Sequence, residues 1–356
     1  MTPLESRIAA LRDPAAGLTL ADTGARIRAA VSEGNAAVAV TLGYPAASWH
    51  EALRAQVAEV VASEGLKLAS LEVQTRIDAH APQGQLAPLP RIRNVIAVGS
   101  GKGGVGKSTT AVNLAMALAG EGARVGVLDA DVYGPSIPTM LGLTGRPDSP
   151  DGKAIEPMHA HGLEAMSIGL MVEQDTPMIW RGPMATSALT QLLEQTLWGG
   201  EGQLDYLIVD LPPGTGDIQL TLAQKIPVAG AVVVTTPQDV ATLDARKALR
   251  MFEKVEVPVL GLIENMAVHV CSNCGHVEHL FGHGGGERIA SQYGKPLLGA
   301  LPLDIAIRQQ GDAGTPLVIA DPGSQAAAAY RAAARRMAAE LARRPRAPVS
   351  LGAQLL

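Results

Sequence analysis

A glycine-rich loop in the first half of the chain contains the residues with the clearest chemical potential. Gly101, Gly106, Lys107 and Ser108 match the pattern G-x-x-x-x-G-K-[ST] within the segment GSGKGGVGKST. Glycines allow backbone N–H groups to converge on phosphate oxygens, and the lysine brings a positive charge to the β- and γ-phosphates of a nucleotide. The Ser108 hydroxyl suits Mg²⁺. The pattern therefore predicts a nucleoside triphosphate site.

Three aspartates that follow apolar runs are candidates to complete this site. Asp210 ends the run YLIVD and is the expected carboxylate for Mg²⁺, acting through its water shell. Asp129 and Asp131 end a different run, and either could orient a water molecule for in-line attack on a phosphate. The alternative for each aspartate taken alone is a turn or N-cap position, and it applies most to Asp129. With the loop, these carboxylates predict nucleotide hydrolysis.

The only two cysteines, Cys271 and Cys274, are spaced C-x-x-C in the segment HVCSNCGHVEHLFGHGGG. A redox dithiol normally begins a helix that lowers the first thiol's pKa, whereas this segment continues into His- and Gly-rich sequence without helical periodicity. An iron-sulfur cluster generally takes four thiolates, so a second copy of the chain would have to supply two of them. A structural zinc site would instead add two histidines from the set His269, His276, His279 and His283. The residues alone leave both metal sites open.

Short apolar runs rich in Val, Ile and Leu predict the strands that position these side chains. They are NVIAVGS, ARVGVLDAD, LDYLIVDLPPG, AGAVVVTTP and VPVLGLIENM. Such runs are typical of strands buried on both faces of a parallel sheet, and the segments between them are long enough to contain helices. We therefore predict an α/β domain with a mostly parallel sheet flanked by helices, in which the glycine-rich loop joins the first strand to a helix.

The first 80 residues predict a separate, smaller α+β module. Thr2, Pro3 and Glu5 form a capping pattern that opens a short helix. NAAVAVTLGYP and KLASLEVQTRI predict two strands, and SWHEALRAQVAEVVASEG between them has the apolar spacing of a helix. The predicted organisation is a module at 1–80, a Pro- and Gly-containing linker at 81–92, a nucleotide-binding domain at 93–345 and a tail at 346–356.

Composition and charge argue against nucleic acid and membrane as partners. Aromatic residues make up only 3% of the chain, which does not suit a base-stacking surface. The formal net charge is -5, and the locally basic run YRAAARRMAAELARRPRAP is expected to be a solvated helix. No apolar segment of about 18 residues predicts a membrane span. We expect a cytoplasmic protein, in a reducing compartment where a cysteine pair binds metal or exchanges electrons.

The loop GKGGVGKST carries a second lysine, Lys102, directly after its first glycine, and so resembles the deviant Walker A motif of the nitrogenase iron protein, MinD and ParA class. Residues from about 93 to 320 further resemble the Mrp (ApbC) family of iron-sulfur cluster carrier ATPases. The segments that carry this resemblance are DADVYGPSIPTMLG, WRGPM, DYLIVDLPPGTGD, TTPQDVATLDARKA, ENM and the C-x-x-C pair. It implies a slow ATPase that forms a homodimer, with apo iron-sulfur proteins and cluster scaffold proteins as partners.

The same resemblance implies roles for individual residues. Lys102 would reach the phosphates held by the partner subunit, Asp131 would activate water, Asp210 would take the Walker B role and Asn265 would contact adenine. The ATP-binding loop would comprise Gly103, Gly104, Val105, Gly106, Lys107, Ser108 and Thr109, with Mg²⁺ on Ser108. Cys271 and Cys274 would bridge a [4Fe-4S] cluster between two subunits. The alternative is a positioning ATPase of the ParA or MinD kind, cycling on DNA or membrane, with structural zinc at the cysteines.

The N-terminal module resembles the small MIP18-like domain often fused ahead of this ATPase. The resemblance lies in LRDPAAGLTLADTGARI and in the strand, turn and helix that follow. Related stand-alone domains can carry a cysteine in the turn before the helix, whereas this chain reads GYPAASWHEAL there. A thiol-based role is therefore not expected of this module. We expect it to act in docking or regulation.

Overall fold

A three-stranded sheet forms the centre of the N-terminal module in the computed structural model, which describes residues 1–84, 86–171, 182–271 and 273–347. Strand β1 (Arg26–Ser32) pairs antiparallel with β2 (Asn35–Leu42), and β2 pairs parallel with β3 (Lys67–Thr75). Only β2 and β3 were predicted from the sequence. The segment RIRAAVS of β1 is largely exposed and lacks a clear apolar alternation, so no pattern marked it as a strand.

Two helices complete this module. Helix α1 (Pro3–Ala9) begins with the predicted capping box, in which the Thr2 side chain accepts from the Glu5 N–H and the Glu5 carboxylate accepts from the Thr2 N–H. Helix α2 (His50–Ser63) follows a short 3₁₀ turn and provides the crossover that the parallel pairing of β2 and β3 requires. The predicted α+β character of the module is confirmed.

A nine-stranded sheet forms the centre of the rest of the chain. Its strands are β4 (Ile92–Ser100), β5 (Val125–Asp129), β6 (Met158–Ala160), β7 (Leu163–Ser167), β8 (Leu204–Asp210), β9 (Gly230–Thr235), β10 (Val259–Val270), β11 (Val277–Glu278) and β12 (Leu297–Pro302). The order is β11-β10-β9-β4-β8-β5-β7-β6, and β12 pairs with β10. Every pairing is parallel except those of β6 with β7 and of β11 with β10. The carboxyl ends of the central strands therefore meet at one edge.

Helices cover both faces of this sheet, which confirms the predicted α/β class. They are α3 (Lys107–Gly120), α4 (Ile137–Met140), α5 (Gly182–Gln195), α6 (Asp217–Lys225), α7 (Asp239–Lys254), α8 (Gly285–Gln292), α9 (Ile305–Asp312), α10 (Leu317–Ala320) and α11 (Gln325–Ala342). Alternate residues of β4 enter two different cores. Ile96 and Val98 pack with α3 and α11, whereas Val95 and Ala97 pack with α5, α6 and α7. None of the helices in the described ranges is long and apolar enough to span a bilayer.

The N-terminal module packs on α3 and α11 and shares one apolar core with them. Arg335 of α11, 6% exposed, lies at this contact. Its Nη2 donates to Asp13 Oδ2 at 2.7 Å, and its Nη1 donates to the Ser48 hydroxyl at 3.2 Å. Ser48 in turn donates to Glu121 Oε1 at 2.6 Å, at the end of α3. The prediction that the basic run is merely solvated is therefore wrong at Arg335.

The segment predicted as a linker is anchored to the large domain. Gln83 is 6% exposed, its Nε2 donates to the carbonyls of Ala223 and Ile226 at 2.7 Å each, and its Oε1 accepts from the Val228 N–H at 2.7 Å. The domain boundaries themselves stay predictions. Gln85 of this segment, residues 348–356 of the predicted tail, and Trp180 and Arg181 of the WRGPM segment lie outside the described residues.

Candidate functional site

The glycine-rich loop runs from Ser100, where β4 ends, to Lys107, where α3 begins. A Cβ on Gly101 would lie 2.0 Å from the Asp244 carbonyl oxygen, because the loop packs directly against α7. Gly106 adopts a φ of 77°, which L side chains rarely take. The loop and the N-terminus of a 14-residue helix thus meet at the carboxyl edge of the sheet. Such an edge presents backbone N–H groups to an anion.

The predicted catalytic side chains converge on the Lys107 amine. Lys107 Nζ lies 2.6 Å from Asp210 Oδ1, 3.8 Å from Asp131 Oδ2 and 3.3 Å from the Ser108 hydroxyl. Lys107 is 6% exposed and Asp210 is completely buried. The register of the sheet explains this convergence, because β5 and β8 are adjacent strands that pair Asp129 with Asp210.

Asp210 and Ser108 form a ligand set that fits Mg²⁺. Within the described residues, Asp210 Oδ2 is buried and has no hydrogen-bond partner. Burial raises the pKa of Asp210, and this rise is opposed by the charge and hydrogen bond of Lys107 and by the Ser108 hydroxyl. A buried carboxylate oxygen without a partner, next to a hydroxyl, is the hard oxygen environment that Mg²⁺ prefers. Asp210 and Ser108 therefore fit the predicted Mg²⁺ role, which stays a prediction.

Asp129 holds the loop that carries Asp131. Its Oδ1 accepts from the Asp131 N–H at 3.1 Å, and its Oδ2 accepts from the Ile137 N–H at 3.2 Å and from the Ser167 hydroxyl at 3.0 Å. Burial, followed by the nearby Asp210 charge, raises the pKa of Asp129 to about 7. These contacts agree with the structural turn role that the sequence offered as an alternative for Asp129. Sequence reasoning missed Ser167, which ends β7 beside Asp129.

Asp131 is less deeply enclosed, at 8% exposed. Burial raises its pKa, and the Lys107 charge opposes that rise. Its carboxylate therefore lies beside the Lys107 amine and near solvent, where a water molecule could be oriented. Between Asp129, which ends β5, and Asp131, two residues beyond it, the geometry favours Asp131 for this role, because both oxygens of Asp129 accept hydrogen bonds from the protein.

A cavity of about 380 Å³ adjoins the glycine-rich loop. Asn265 lies in its wall and donates from Nδ2 to the Val105 carbonyl at 2.9 Å. The same wall includes Thr139, Met266, Pro302, Asp304 and Tyr330. The position of Asn265 is compatible with the predicted adenine contact. The other wall residues were missed, because no local motif marks Tyr330 of α11 as a neighbour of a loop formed some 220 residues earlier.

Lys102, directly after the first glycine of the loop, is half-buried. Its backbone carbonyl accepts from the Ser100 hydroxyl at 2.9 Å. Its amine has no ion-pair partner within residues 1–84, 86–171, 182–271 and 273–347, in contrast with the Lys107 amine. The predicted reach of Lys102 into a second subunit stays a prediction.

The two cysteines lie in the turn that joins β10 to β11. The Cys271 N–H donates to the His276 carbonyl at 2.9 Å, and the Gly275 N–H donates to the Cys271 carbonyl at 2.8 Å. Cys271 is half-buried and Cys274 is exposed. Hydrogen bonds from the Cys274 and Asn273 N–H groups lower the pKa of Cys271, which favours its thiolate. The turn places neither thiol at a helix start, in agreement with the argument against a redox dithiol.

The histidines of this segment do not gather around the thiols. Across the residues that the structure describes, no three His, Cys, Asp or Glu side chains are grouped so that they could hold a metal ion. His269 Nδ1 instead lies 3.1 Å from the Leu303 carbonyl oxygen, and His279 Nδ1 lies 2.9 Å from the Ala267 carbonyl oxygen. The four ligands of a single-chain zinc site are therefore not brought together here.

The parallel sheet, the glycine-rich loop before α3 and the buried lysine and carboxylates define the fold and site of the P-loop NTPase class. The family model of the NUBPL iron-transfer P-loop NTPase, within the ParA group, matches residues 91–338, and the chain belongs to this family. A second family model, that of the iron-sulfur cluster assembly protein, matches residues 4–73. The family resemblance inferred from the sequence is thereby confirmed.

Individual relatives extend this result over both parts of the chain. The iron-sulfur cluster carrier protein of Escherichia coli K12 is 63% identical over 251 residues, which are 70% of this chain and 67% of that protein. The iron-sulfur cluster carrier protein of Deinococcus radiodurans is 45% identical over 336 residues, which are 94% of this chain and 93% of that protein. The solved nucleotide-binding protein of Archaeoglobus fulgidus, in complex with ADP, has 39% identity and a TM-score of 0.56, covering 64% of this chain and 88% of that one.

Proposed function

We propose that this chain is an ATP-dependent iron-sulfur cluster carrier that delivers a [4Fe-4S] cluster to apo-proteins. The observation that carries this proposal is the continuity of β10, which bears Asn265 in the wall of the nucleotide cavity and ends at the turn that holds Cys271 and Cys274. A nucleotide and a metal cargo would thus contact one strand. The names of the relatives in Escherichia coli and Deinococcus radiodurans support the same function.

ATP would bind with its phosphates on the loop from Gly103 to Thr109. Lys107 would exchange its ion pair with Asp210 for contacts with the β- and γ-phosphates, since both are anionic partners within reach of one flexible amine. Mg²⁺, when bound, neutralises phosphate charge and orients the phosphate oxygens. Asp131 would orient the attacking water. Turnover would be slow in a single chain, because the partner subunit's Lys102 is needed to complete the site.

The cluster would be cargo shared by two chains. One chain offers two thiolates from an exposed turn, whereas a [4Fe-4S] cluster generally takes four. A two-fold axis that sets two such turns face to face would supply the remaining pair, and the same axis would suit a homodimer that encloses ATP. Ligands on exposed turns should release a cluster more readily than ligands in a core. That property suits transfer between scaffold proteins and apo iron-sulfur proteins.

We further propose that the protein works in the cytoplasm, because free thiols that bind a cluster need a reducing compartment. Nucleic acid and membrane are not proposed as partners. The formal net charge of -5 opposes nonspecific binding to DNA and to anionic lipid. Co-sedimentation with DNA or with anionic liposomes in the presence of ATP would support the positioning-ATPase alternative instead.

Metal and sulfide analysis of the anaerobically purified chain tests the cargo. Reconstitution with iron and sulfide should give about four irons per dimer, with equal sulfide and a broad visible absorbance. Cys271→Ala and Cys274→Ala should each lose the iron and the absorbance. Val277→Ala, an exposed non-ligand in the same hairpin, should keep both. Stoichiometric zinc that iron cannot replace, and that requires the histidines, would support the zinc alternative.

A further inference from the structure

The histidines beside the cysteine turn contact the wall of the nucleotide cavity. His279 Nδ1 lies 2.9 Å from the Ala267 carbonyl oxygen, and His269 Nδ1 lies 3.1 Å from the Leu303 carbonyl oxygen. A carbonyl oxygen can only accept, so both Nδ1 atoms carry the proton and donate. Leu303 lines the cavity, and Ala267 directly follows the cavity residue Met266. Each imidazole therefore joins the cysteine hairpin to a segment of that wall.

The strand between the two sites is irregular at the point where it passes the cavity. Met266 adopts a φ of 55°, in the left-handed region that non-glycine residues seldom occupy. The pairing of β10 with β12 shifts register between Glu264 and Val268, which is the mark of a bulge. Beyond the bulge, the Leu303 N–H donates to the Val268 carbonyl at 2.7 Å. At a strained bulge, a strand can adopt a second backbone conformation at a modest cost in free energy.

We propose that His269 and His279 are positioning residues that transmit the nucleotide state to Cys271 and Cys274. This inference rests on the proposed nucleotide site. A base entering the cavity would compete with the Val105 carbonyl for Asn265, and Met266 and Leu303 would move with the occupied wall. The two imidazoles would then carry that displacement through the Ala267 and Leu303 carbonyls to the hairpin.

Metal ligation through Nε2 is the competing role for these histidines. A metal-bound histidine commonly donates its other ring N–H to a backbone carbonyl, so the observed Nδ1 bonds fit either role. Within one chain, the described residues show no set of three or more ligand-type residues around a common point, so metal ligation by these histidines would need a second subunit. A structural link between the cysteine hairpin and the cavity wall requires only the hydrogen bonds of His269 and His279 that the structure shows.

The test measures the reaction rate of the two thiols with a chromogenic disulfide, on the full chain without metal, in the absence and presence of saturating ADP. ADP is chosen because it lacks the γ-phosphate that the partner subunit's Lys102 would contact, so dimer closure does not mask the thiols. In the wild type, ADP should change the rate about fivefold or more. His269→Ala and His279→Ala should lose that dependence while binding ADP within about twofold of the wild type, since neither ring lines the cavity.

Two further variants keep the test specific. His279→Asn places an amide N–H near the position of Nδ1, so it should restore the ADP dependence. His276→Ala should retain it, because His276 is in the same turn but its ring lies near Glu278 and does not line the cavity. Reconstituted iron should be unchanged in His269→Ala and His279→Ala.

Several results would overturn this inference. They are a wild-type thiol rate that ADP does not change, a full ADP response in both alanine variants, or loss of iron or zinc in His279→Ala. The last result would show that the ring is a metal ligand. Failure of the proposed function itself is recognised separately, because wild-type chain would then bind no ADP in direct titration or no iron on reconstitution.

Discussion

Lys107 Nζ lies 2.6 Å from Asp210 Oδ1, and both side chains are buried. The residue expected to face the phosphates and the residue expected to face the metal thus neutralise each other. Removal of Lys107 leaves Asp210 as an uncompensated buried charge, which is far costlier than loss of a surface ion pair. The pair therefore links nucleotide binding to the stability of the domain, and substitutions there should change both.

Lys107→Ala should abolish ATP binding and also lower the free energy of unfolding by about 3–5 kcal/mol, because Asp210 is left buried without its cation. Nucleotide titration and urea denaturation of the same preparation measure the two effects. Lys254→Ala, at the exposed end of α7, is the matched control and should alter neither. Tight ATP binding by Lys107→Ala would contradict the phosphate role.

Lys102→Ala should retain ATP binding but reduce hydrolysis by at least about tenfold, if its amine acts on phosphates in a second chain. ATP binding should be retained because the Lys102 amine has no ion-pair partner within the described ranges. Removal of this amine therefore leaves the contacts of Lys107 intact. Steady-state ATPase rates and nucleotide affinity should be measured on one sample. Wild-type turnover in Lys102→Ala would exclude the trans-acting role.

The raised pKa of Asp129 predicts a pH-dependent stability. Its folded pKa of about 7 lies above the ordinary value of 3.8, so between these values the folded chain holds a proton that the unfolded chain has lost. The free energy of unfolding should therefore fall as pH rises from about 4 to about 7, by at most about 1.4 kcal/mol per pH unit from this group. Denaturation measured across this pH range should show that the free energy of unfolding falls less steeply with pH in Asp129→Asn than in the wild type. An identical slope in both proteins would contradict the assignment.

Arg335→Ala should destabilise the chain by about 3–5 kcal/mol, because Asp13 and Glu121 would remain buried at the contact between module and domain without their cation. Chemical denaturation measures this loss. Arg343→Ala, which removes an ion pair at the C-terminal end of α11 from an arginine whose side chain is 46% exposed, should cost less than about 1 kcal/mol. Equal effects of the two substitutions would show that the buried contact does not hold the module in place.

Local patterns were enough to predict much of the fold and the glycine-rich loop. The capping box at Thr2 and Glu5, the buried strands and the helix that begins at Lys107 each depend on residues a few positions apart. Parallel strands then bring their carboxyl ends to one edge whatever the details of packing. For that reason Asp131 and Asp210 could be placed near Lys107 before any coordinates were known, although their catalytic roles stay predictions.

Contacts between distant segments were decided only by the tertiary structure. The basic run at the C-terminus gave no sign that Arg335 would pair with Asp13, more than 300 residues away, and the Pro- and Gly-containing segment gave none that Gln83 would be buried. All four histidines beside the cysteines were candidate zinc ligands, and only the structure showed that the described residues group no three ligand-type side chains around one point. The sequence shows that a side chain is charged or has ring nitrogens, but it does not show which residue that side chain will contact. Their partners depend on which surfaces the folded cores bring together, because a buried polar group must find whatever complementary atom lies within hydrogen-bonding distance.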